Sequence, residues 1–277
     1  MSNVTIDVAG VRVQALERGH LLALPALLSD VRGQIVVGHH NLHSIYLFHR
    51  DPAMRAFYET ARLVHIDGMP LVWMGKVAGY PVGRQHRHTS LDWIVPFLRQ
   101  CAEHRRSVFF VGSKPGVAER AVEAFRADVP DLVAHTHHGY FDDSVDSAES
   151  AELIRLINAS GADVLLVGMG MPRQERWVAQ NAHRINTKLI WTLGAFMDYF
   201  AGEISTPPRW MGALGLEWLG RLLAEPKRLG SRYLVEPWSV LAHFAAGMVR
   251  TERSAAAARS ATDEALVAQL AQYTRTP

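Results

Sequence analysis

Asp67 has the residue type and the position of a general base. It follows the apolar segment RLVHI at 62–66 and precedes Gly68. A carboxylate at the end of a strand is suited to accept a proton from a substrate hydroxyl when apolar neighbours shield it from water. The same position suits an aspartate that caps a helix starting near Met69. The residues alone leave these two interpretations open.

A glycine-rich segment at 168–175, GMGMPRQE, contains the second candidate site. Gly168 and Gly170 follow an apolar run, where glycines let the backbone approach a ligand closely. Pro172 favours the start of a helix, whose first N–H groups attract a pyrophosphate. A dinucleotide fingerprint would need glycine where Arg173 stands, so NAD binding is disfavoured. The alternative is a tight turn that binds nothing.

Two further patterns argue against other classes of protein. Segment 112–116, GSKPG, lacks the spacing of a Walker A loop, which disfavours a kinase or ATPase and leaves a phosphate-tolerant loop or a plain turn. The 14 histidines come without an HExxH motif or a clustered carboxylate partner, so no metal site is expected. Most of them are expected at the surface or at the rim of a site. The closely spaced histidines are His39, His40, His86, His88, His135, His137 and His138.

Three arginines near the C-terminus, Arg221, Arg228 and Arg232, are spaced seven and four residues apart. Guanidinium groups bind phosphates through two parallel hydrogen bonds, so these residues are candidates for holding a diphosphate. The ordinary alternative is a solvated basic helix face. Apolar neighbours favour instead an amphipathic element that lies on a membrane surface. These neighbours are Leu222, Leu223, Leu229, Tyr233, Leu234, Trp238, Leu241 and Phe244.

The candidate residues lie between elements that alternate regularly. Short apolar strands separated by amphipathic helices predict an α/β protein, with a parallel sheet covered on both faces. Ligands of such sheets bind where loops leave the carboxyl ends of the strands. Asp67 and the loops 113–116, 168–171 and 194–198 occupy that position. After a hairpin over 4–13, the predicted strands are 34–38, 63–66, 107–112, 132–136, 163–168 and 188–193, and the predicted helices are 52–61, 90–104, 117–127, 147–158 and 172–182.

The alternation stops after Gly202, where PPRW at 207–210 interrupts it. Two helical stretches, about 213–224 and 226–249, then indicate a helical appendage. We therefore expect a catalytic α/β domain over 1–205, an appendage over 206–250 and a mobile tail over 251–277.

Composition narrows the class of protein further. The 277 residues have a formal net charge of +2 and a mean hydropathy of −0.01, so a nucleic-acid partner is not favoured. Cys101 is the single cysteine, which excludes an internal disulfide and suits a reducing cytoplasm. No apolar run reaches the length of a membrane-spanning helix, and the N-terminus does not resemble a signal peptide.

Six segments of the chain resemble the WecG/TagA/CpsF glycosyltransferases. The segments are HIDGMPLV at 65–72, HGYFD at 138–142, VGMGMPRQERW at 167–177, LGAFMDYFAGEI at 193–204, PPRWMGALGLEWLGRLLAEPKRL at 207–229 and RYL at 232–234. The resemblance implies a Rossmann-like fold and an inverting, metal-free transfer from a UDP-sugar to an undecaprenyl-diphosphate-linked sugar. It also implies a role in cell-surface polysaccharide biosynthesis, and an appendage that reaches the cytoplasmic face of the inner membrane.

The resemblance also assigns roles by position. Asp67 becomes the base, and Asn41 matches a Thr-x-Asn segment near the sugar. Gln174 and Glu175 match a block that is expected to contact the nucleotide or the sugar, within the same loop as Gly168 and Gly170. Arg221 and Arg228 match arginines that bind the diphosphate.

Two positions depart from the family pattern. His39 stands where the threonine of Thr-x-Asn is expected, so the donor sugar is left open among N-acetylmannosaminyl, glucosyl, glucuronosyl and N-acetylmannosaminuronosyl groups. Ser231 stands where a further arginine is expected, which leaves Arg232 as the candidate. A homo-oligomer also remains open. The alternative functions are a non-catalytic module that binds nucleotide sugars and a Rossmann-type oxidoreductase or epimerase.

Overall fold

The computed structural model describes residues 5–205, 219, 222 and 226–251. Within this part of the chain, eight strands form one sheet. The strands are β1 (Thr5–Val8), β2 (Val11–Gln14), β3 (Ile35–His40), β4 (Leu63–Ile66), β5 (Val108–Gly112), β6 (Ala134–His137), β7 (Val164–Gly168) and β8 (Leu189–Thr192).

Helices connect most of these strands. They are α1 (Arg18–Leu22), α2 (Leu24–Leu27), α3 (Leu42–Arg50), α4 (Pro52–Thr60), α5 (Met69–Val77), α6 (Ser90–Glu103), α7 (Val117–Asp128), α8 (Ala148–Ser160), α9 (Arg173–Asn181), α10 (Phe196–Phe200), α11 (Pro226–Leu234) and α12 (Glu236–Thr251). Two short 3₁₀ helices, Arg84–His86 and Ala182–Arg184, complete the connections.

The sheet has the strand order β1-β2-β4-β3-β8-β7-β5-β6. β1 and β2 form an antiparallel hairpin, and every other neighbouring pair is parallel. The first and last parallel strands of the chain, β3 and β8, lie side by side at the centre, with Val37 opposite Trp191. The parallel strands therefore all end at the same edge of the sheet.

Both faces of the sheet are covered by helices, because alternate residues of each buried strand point to opposite sides. In β5, Val108 and Phe110 pack into a cluster with side chains of α6, α7 and α10. Phe109 and Val111 pack on the other side with side chains of α8 and α9. The predicted fold class, a mainly parallel α/β sheet with helices on both faces, is confirmed.

A third apolar cluster lies at the hairpin end of the sheet. It contains Ile6 and Val13 of the hairpin, Ile66 of β4 and Ile45 of α3, together with Val240 of α12. Val240 has no exposed surface. The C-terminal helix α12 is therefore packed against the α/β part of the molecule through α3.

Most predicted elements are present, with ends shifted by at most two residues. β3 continues to His40, two residues beyond the prediction, because His39 and His40 are both buried within the strand. The predicted helix 226–249 is two helices, α11 and α12, separated at Val235. The predicted helix 213–224 and the predicted tail lie almost entirely outside the described residues.

Candidate active site at the carboxyl edge of the sheet

Asp67 lies where β4 ends, beside the end of β3. Its N–H donates to the His40 carbonyl at 2.9 Å, which extends the pairing of the two strands by one residue. Its side chain is one-quarter exposed. Helix α5 is capped by Gly68, whose φ of 94° suits glycine, and no side-chain capping hydrogen bond is present. The interpretation of Asp67 as a helix cap is therefore wrong.

Asn41 connects α3 to the carboxylate of Asp67. Its Oδ1 accepts from the Ser44 N–H at 3.0 Å, which caps the first turn of α3. Its Nδ2 donates to Asp67 Oδ2 at 3.1 Å. One amide thus fixes the start of a helix and the orientation of the candidate base, although the two residues are 26 positions apart in the chain.

His39 is the third member of this group, and it is buried. Its Nδ1 lies 3.1 Å from the Thr192 carbonyl oxygen, and its Nε2 lies 3.8 Å from Asp67 Oδ2. Burial lowers the pKa of His39, the Asp67 charge raises it in part, and Arg232 lowers it further. The imidazole is therefore neutral near pH 7. It lies at the carboxyl edge of the sheet, beside the Asp67 carboxylate.

Histidine and tryptophan rings form the layer beneath His39. The His65 ring lies 5.6 Å from the His39 ring, and Trp191 Nε1 donates to His65 Nε2 at 3.4 Å. Trp191 stacks on Trp93 with ring centroids 4.1 Å apart. Eight of the 14 histidines are at least partly exposed, as expected for most of them. The buried ones are His20, His39, His40, His65, His86 and His88.

The glycine-rich loop after β7 lies against the loop after β8. A Cβ added to Gly168 would come within 2.8 Å of the Gly194 carbonyl oxygen, so no larger residue fits between these backbones. The N–H groups of Gly170 and Gly194 both donate to Gln174 Oε1, each at 3.1 Å. Gln174 therefore holds the two loops together.

Glu175 continues this network into the interior. Gln174 Nε2 donates to Glu175 Oε1 at 2.7 Å, and neither side chain has any exposed surface. Burial raises the pKa of Glu175 to about 7. Its Oε2 and the Thr192 hydroxyl each lack a hydrogen-bond partner among the described residues. Gln174 and Glu175 therefore form a buried support for the two loops.

Tyr58 of α4 contacts the end of β3, and no motif in the sequence indicates this role. Its hydroxyl donates to the His39 carbonyl at 2.7 Å, and its ring stacks on His40. Burial raises the pKa of Tyr58, as do the charges of Glu175 and Asp67. Tyr58 therefore connects α4 to the end of β3, within reach of the charges of both carboxyl groups.

Arg173 stands where a dinucleotide-binding fingerprint would need glycine, and its side chain makes structural contacts. Its guanidinium donates to the carbonyls of Gly139 and Phe141, and its Nε lies 2.9 Å from Asp143. It therefore ties the segment HGYFD to the glycine-rich loop at the start of α9. The spacing of the motif suggested no such contact, because the two segments are more than 30 residues apart.

Of the three predicted arginines, Arg232 on α11 is close enough for its charge to lower the pKa of His39. Arg221 and the side chain of Arg228 lie outside the described residues. Helix α12 is held on α3 by a 2.6 Å contact between Glu236 and His43 Nδ1.

The opposite face of α12 is apolar and exposed. We call it the outer stripe; Trp238 is 71% exposed, Leu241 is 45% exposed and Met248 is 43% exposed. These residues are separated by three and seven positions, so they share one side of the helix. Leu234 and Val235, which precede α12, are also exposed.

Two further properties concern the described residues: the grouping of potential metal ligands and the apolarity of the helices. In that part of the chain, no three His, Cys, Asp or Glu side chains converge as metal ligands would. None of the helices described there combines the length and the apolarity needed to span a membrane.

The chain is similar to a known protein family and to proteins of known name. A family model described as "Glycosyl transferase WecG/TagA/CpsF family" matches residues 6–254. Two relatives carry the name N-acetylglucosaminyldiphosphoundecaprenol N-acetyl-beta-D-mannosaminyltransferase. The one from Staphylococcus aureus strain MRSA252 is 28% identical over 145 residues, which cover 52% of this chain and 55% of the relative. The one from Bacillus spizizenii strain W23 is 28% identical over 180 residues, which cover 65% of this chain and 67% of the relative.

Proposed function

Because the chain belongs to the WecG/TagA/CpsF glycosyltransferase family, we propose that it transfers a sugar from a UDP-sugar to an undecaprenyl-diphosphate-linked saccharide. The match covers about half the length of the S. aureus relative, whose name specifies an N-acetylmannosaminyl donor group and an N-acetylglucosaminyl-diphosphoundecaprenol acceptor. The product belongs to the assembly of a cell-surface polysaccharide. The observation that carries the proposal is the Asp67 carboxylate, held by Asn41 at the carboxyl edge and partly exposed.

Asp67 acts as the general base. It takes the proton of the acceptor hydroxyl as that oxygen attacks C1 of the donor sugar. The attack comes from the face opposite the diphosphate, so the configuration at C1 is inverted. The bond from C1 to the diphosphate breaks, and its electron pair leaves with UDP.

The leaving diphosphate is stabilised by protein cations and backbone dipoles without a metal ion. Arg232 supplies one positive charge, which is close enough to lower the pKa of His39. The first turn of α9 follows the glycine-rich loop, and the N-terminus of a helix favours an anion. Arg221 and Arg228 are proposed, from the sequence, to add two further guanidinium groups.

The dimensions of the sheet suit an extended donor. From β4, which ends at Asp67, to β7, which ends at Gly168, there are three strand spacings, or about 14 Å. The sugar would lie near Asp67 and His39, with the diphosphate and the nucleoside toward the Gly168 and Gly194 loops. Gln174 and Glu175 would shape these loops from below.

The outer stripe is proposed to lie on the cytoplasmic face of the inner membrane. A helix that buries one face on the protein and exposes Trp, Leu and Met on the other resembles interfacial helices. Since α12 contacts α3, and α3 is capped by Asn41, a protein seated on the bilayer in this way would present its site to a lipid-linked acceptor.

The test is UDP release from a panel of UDP-sugars, with a polyprenyl-diphosphate-linked N-acetylglucosamine as acceptor. Asp67→Asn should lower turnover by about 10²- to 10⁴-fold, because it removes the base and keeps an oxygen that accepts from Asn41. Donor binding should be retained, and chelator should not change the wild-type rate.

Asp30→Asn is the matched control, because Asp30 is exposed and lies outside the carboxyl edge. Wild-type turnover in Asp67→Asn would disprove the role of Asp67. Donor binding without UDP release in the wild type would favour the non-catalytic module instead.

A further inference from the structure

The protonation of His39 is set by a backbone carbonyl. The Thr192 oxygen, 3.1 Å from Nδ1, has lone pairs and no hydrogen, so Nδ1 must carry the proton of this contact. Since burial lowers the pKa of His39, the ring is neutral near pH 7. Nε2 is then left with an unprotonated lone pair.

That lone pair faces a second acceptor. Nε2 lies 3.8 Å from Asp67 Oδ2, too far for a hydrogen bond, and an ionised carboxylate offers no proton to share. Asn41 donates to the same Oδ2 at 3.1 Å, which keeps the carboxylate in place. A proton placed on Oδ2 would therefore find an acceptor in Nε2 once the two atoms move closer by about 0.8 Å, to hydrogen-bonding distance.

We propose that His39 is a positioning residue that shares, with Asp67, the proton removed from the acceptor hydroxyl. This inference rests on the proposed transferase function and deepens it. As the hydroxyl O–H bond breaks, its electron pair forms the new bond to C1 of the sugar. The proton arrives on Asp67 Oδ2 and becomes hydrogen-bonded to His39 Nε2. The bond from C1 to the diphosphate breaks with its electron pair, so the charge lost by the carboxylate appears on UDP.

The other groups around His39 favour this division of the proton. His65 and His40 are buried and have lowered pKa values, so neither adds a positive charge. Arg232 does add one, and it disfavours an imidazolium at His39. An imidazolium at His39 is thereby opposed, and in this proposal His39 accepts a hydrogen bond from the protonated carboxyl group.

His39→Asn is the informative substitution. The Asn amide nitrogen is able to keep the donation to the Thr192 carbonyl, while the atom at Nε2 is lost. Loss of the hydrogen bond to protonated Asp67 should move the acid limb of the kcat profile down by about one pH unit. A weaker base should also lower the plateau kcat by roughly three- to ten-fold, with the KM for the donor unchanged.

His88→Gln is the matched control. His88 is a buried histidine of the same ring cluster, and its Nε2 contacts the Leu16 carbonyl at 2.7 Å, which a Gln amide is able to replace. Its pH profile should follow the wild type. An acid limb that does not move in His39→Asn would overturn the proposal, even if kcat falls, because a purely structural role would not affect the limb.

A measurement without turnover separates this inference from the proposed function. In ¹⁵N-histidine NMR of the wild type, the His39 signals, assigned by their loss in His39→Asn, should show a neutral ring protonated at Nδ1 at pH 7. An imidazolium, or a ring protonated at Nε2, would overturn the role of His39 whether or not the protein transfers sugar. The expected tautomer, together with a lower acid limb in His39→Asn, would support the role of His39. If the wild type shows the expected tautomer but no turnover, the proposed transferase function is wrong, and the shared proton with it.

Discussion

Replacing Glu175 by glutamine tests whether the buried carboxyl under the glycine loops resists ionisation. Burial raises its pKa from 4.5 to about 7, so the folded protein holds this proton more tightly than the unfolded chain does. Between these two pH values, stability must fall as pH rises. A shift of about 2.5 pKa units corresponds to about 3 kcal/mol, at 1.36 kcal/mol per unit. The wild type should carry this full penalty above about pH 8 and none of it below about pH 4.5.

Glutamine removes the ionisation and keeps the hydrogen bond. Its Oε1 is able to accept from Gln174 Nε2, as Glu175 Oε1 does at 2.7 Å. Its NH₂ takes the place of Oε2, which has no partner among the described residues, and is able to donate to the Thr192 hydroxyl. We therefore expect Glu175→Gln to exceed the wild type by only about 1 kcal/mol at pH 5 and by about 3 kcal/mol at pH 8.5.

The difference in free energy of unfolding between the variant and the wild type is measured by urea unfolding, followed by circular dichroism, from pH 5 to 8.5. The titration of all other groups cancels in this difference. The control is Glu59→Gln, at an exposed position of α4, which should show no pH-dependent difference. A wild-type minus variant difference that stays constant with pH would refute the reasoning. If the free energy of unfolding of the wild type rises relative to that of the variant as pH increases, the folded protein stabilises the ionised carboxylate.

Two further predictions concern the loops and the outer stripe. Gly168→Ala should lower the free energy of unfolding by about 1–3 kcal/mol, because its Cβ would meet the Gly194 carbonyl oxygen at 2.8 Å. Gly230→Ala, whose Cβ would meet nothing within 4 Å, should be neutral or stabilising in the same urea assay, and equal losses at both positions would contradict this. Trp238→Ser should reduce co-sedimentation with anionic liposomes several-fold, whereas Trp73→Ser, also at an exposed tryptophan, should not. Equal binding by the two variants and the wild type would argue against the outer stripe as the membrane contact.

The sequence predicted the strands well because they are buried on both sides. Short apolar runs such as VLLVG at 164–168 are typical of buried strands, and the amphipathic segments on either side are typical of helices. Helix α3 was missed even though Asn41 and Ser44 form a capping box at its start. The short run HNLHSIYLFHR contains three histidines and is followed at once by the stronger helix-start signal Asp51-Pro52, so the prediction began the helix there.

The candidate site was predicted in part. The sequence predicts both Asp67 and Asn41 as site residues. It does not predict that β3 and β4 are neighbours, because local sequence patterns do not determine the order of strands in a sheet. The burial of His39 was also hidden, since its hydrogen-bond partner, the Thr192 carbonyl, is 153 residues away. Polar side chains enter a core when such partners exist, and sequence alone does not reveal them.

The pairing of β3 with β8 has a consequence for how the protein is made. Ile35 lies opposite Leu189, so one edge of β3 has no native partner until about 150 more residues have been synthesised. At ordinary translation rates this interval is roughly 8–30 s. During that time the strand that leads to Asn41 has an open edge, which is a template for wrong pairing. We expect nascent chains that stop before residue 189 to depend on chaperones, and the Asp67–Asn41–His39 group to form only in the last stage of folding.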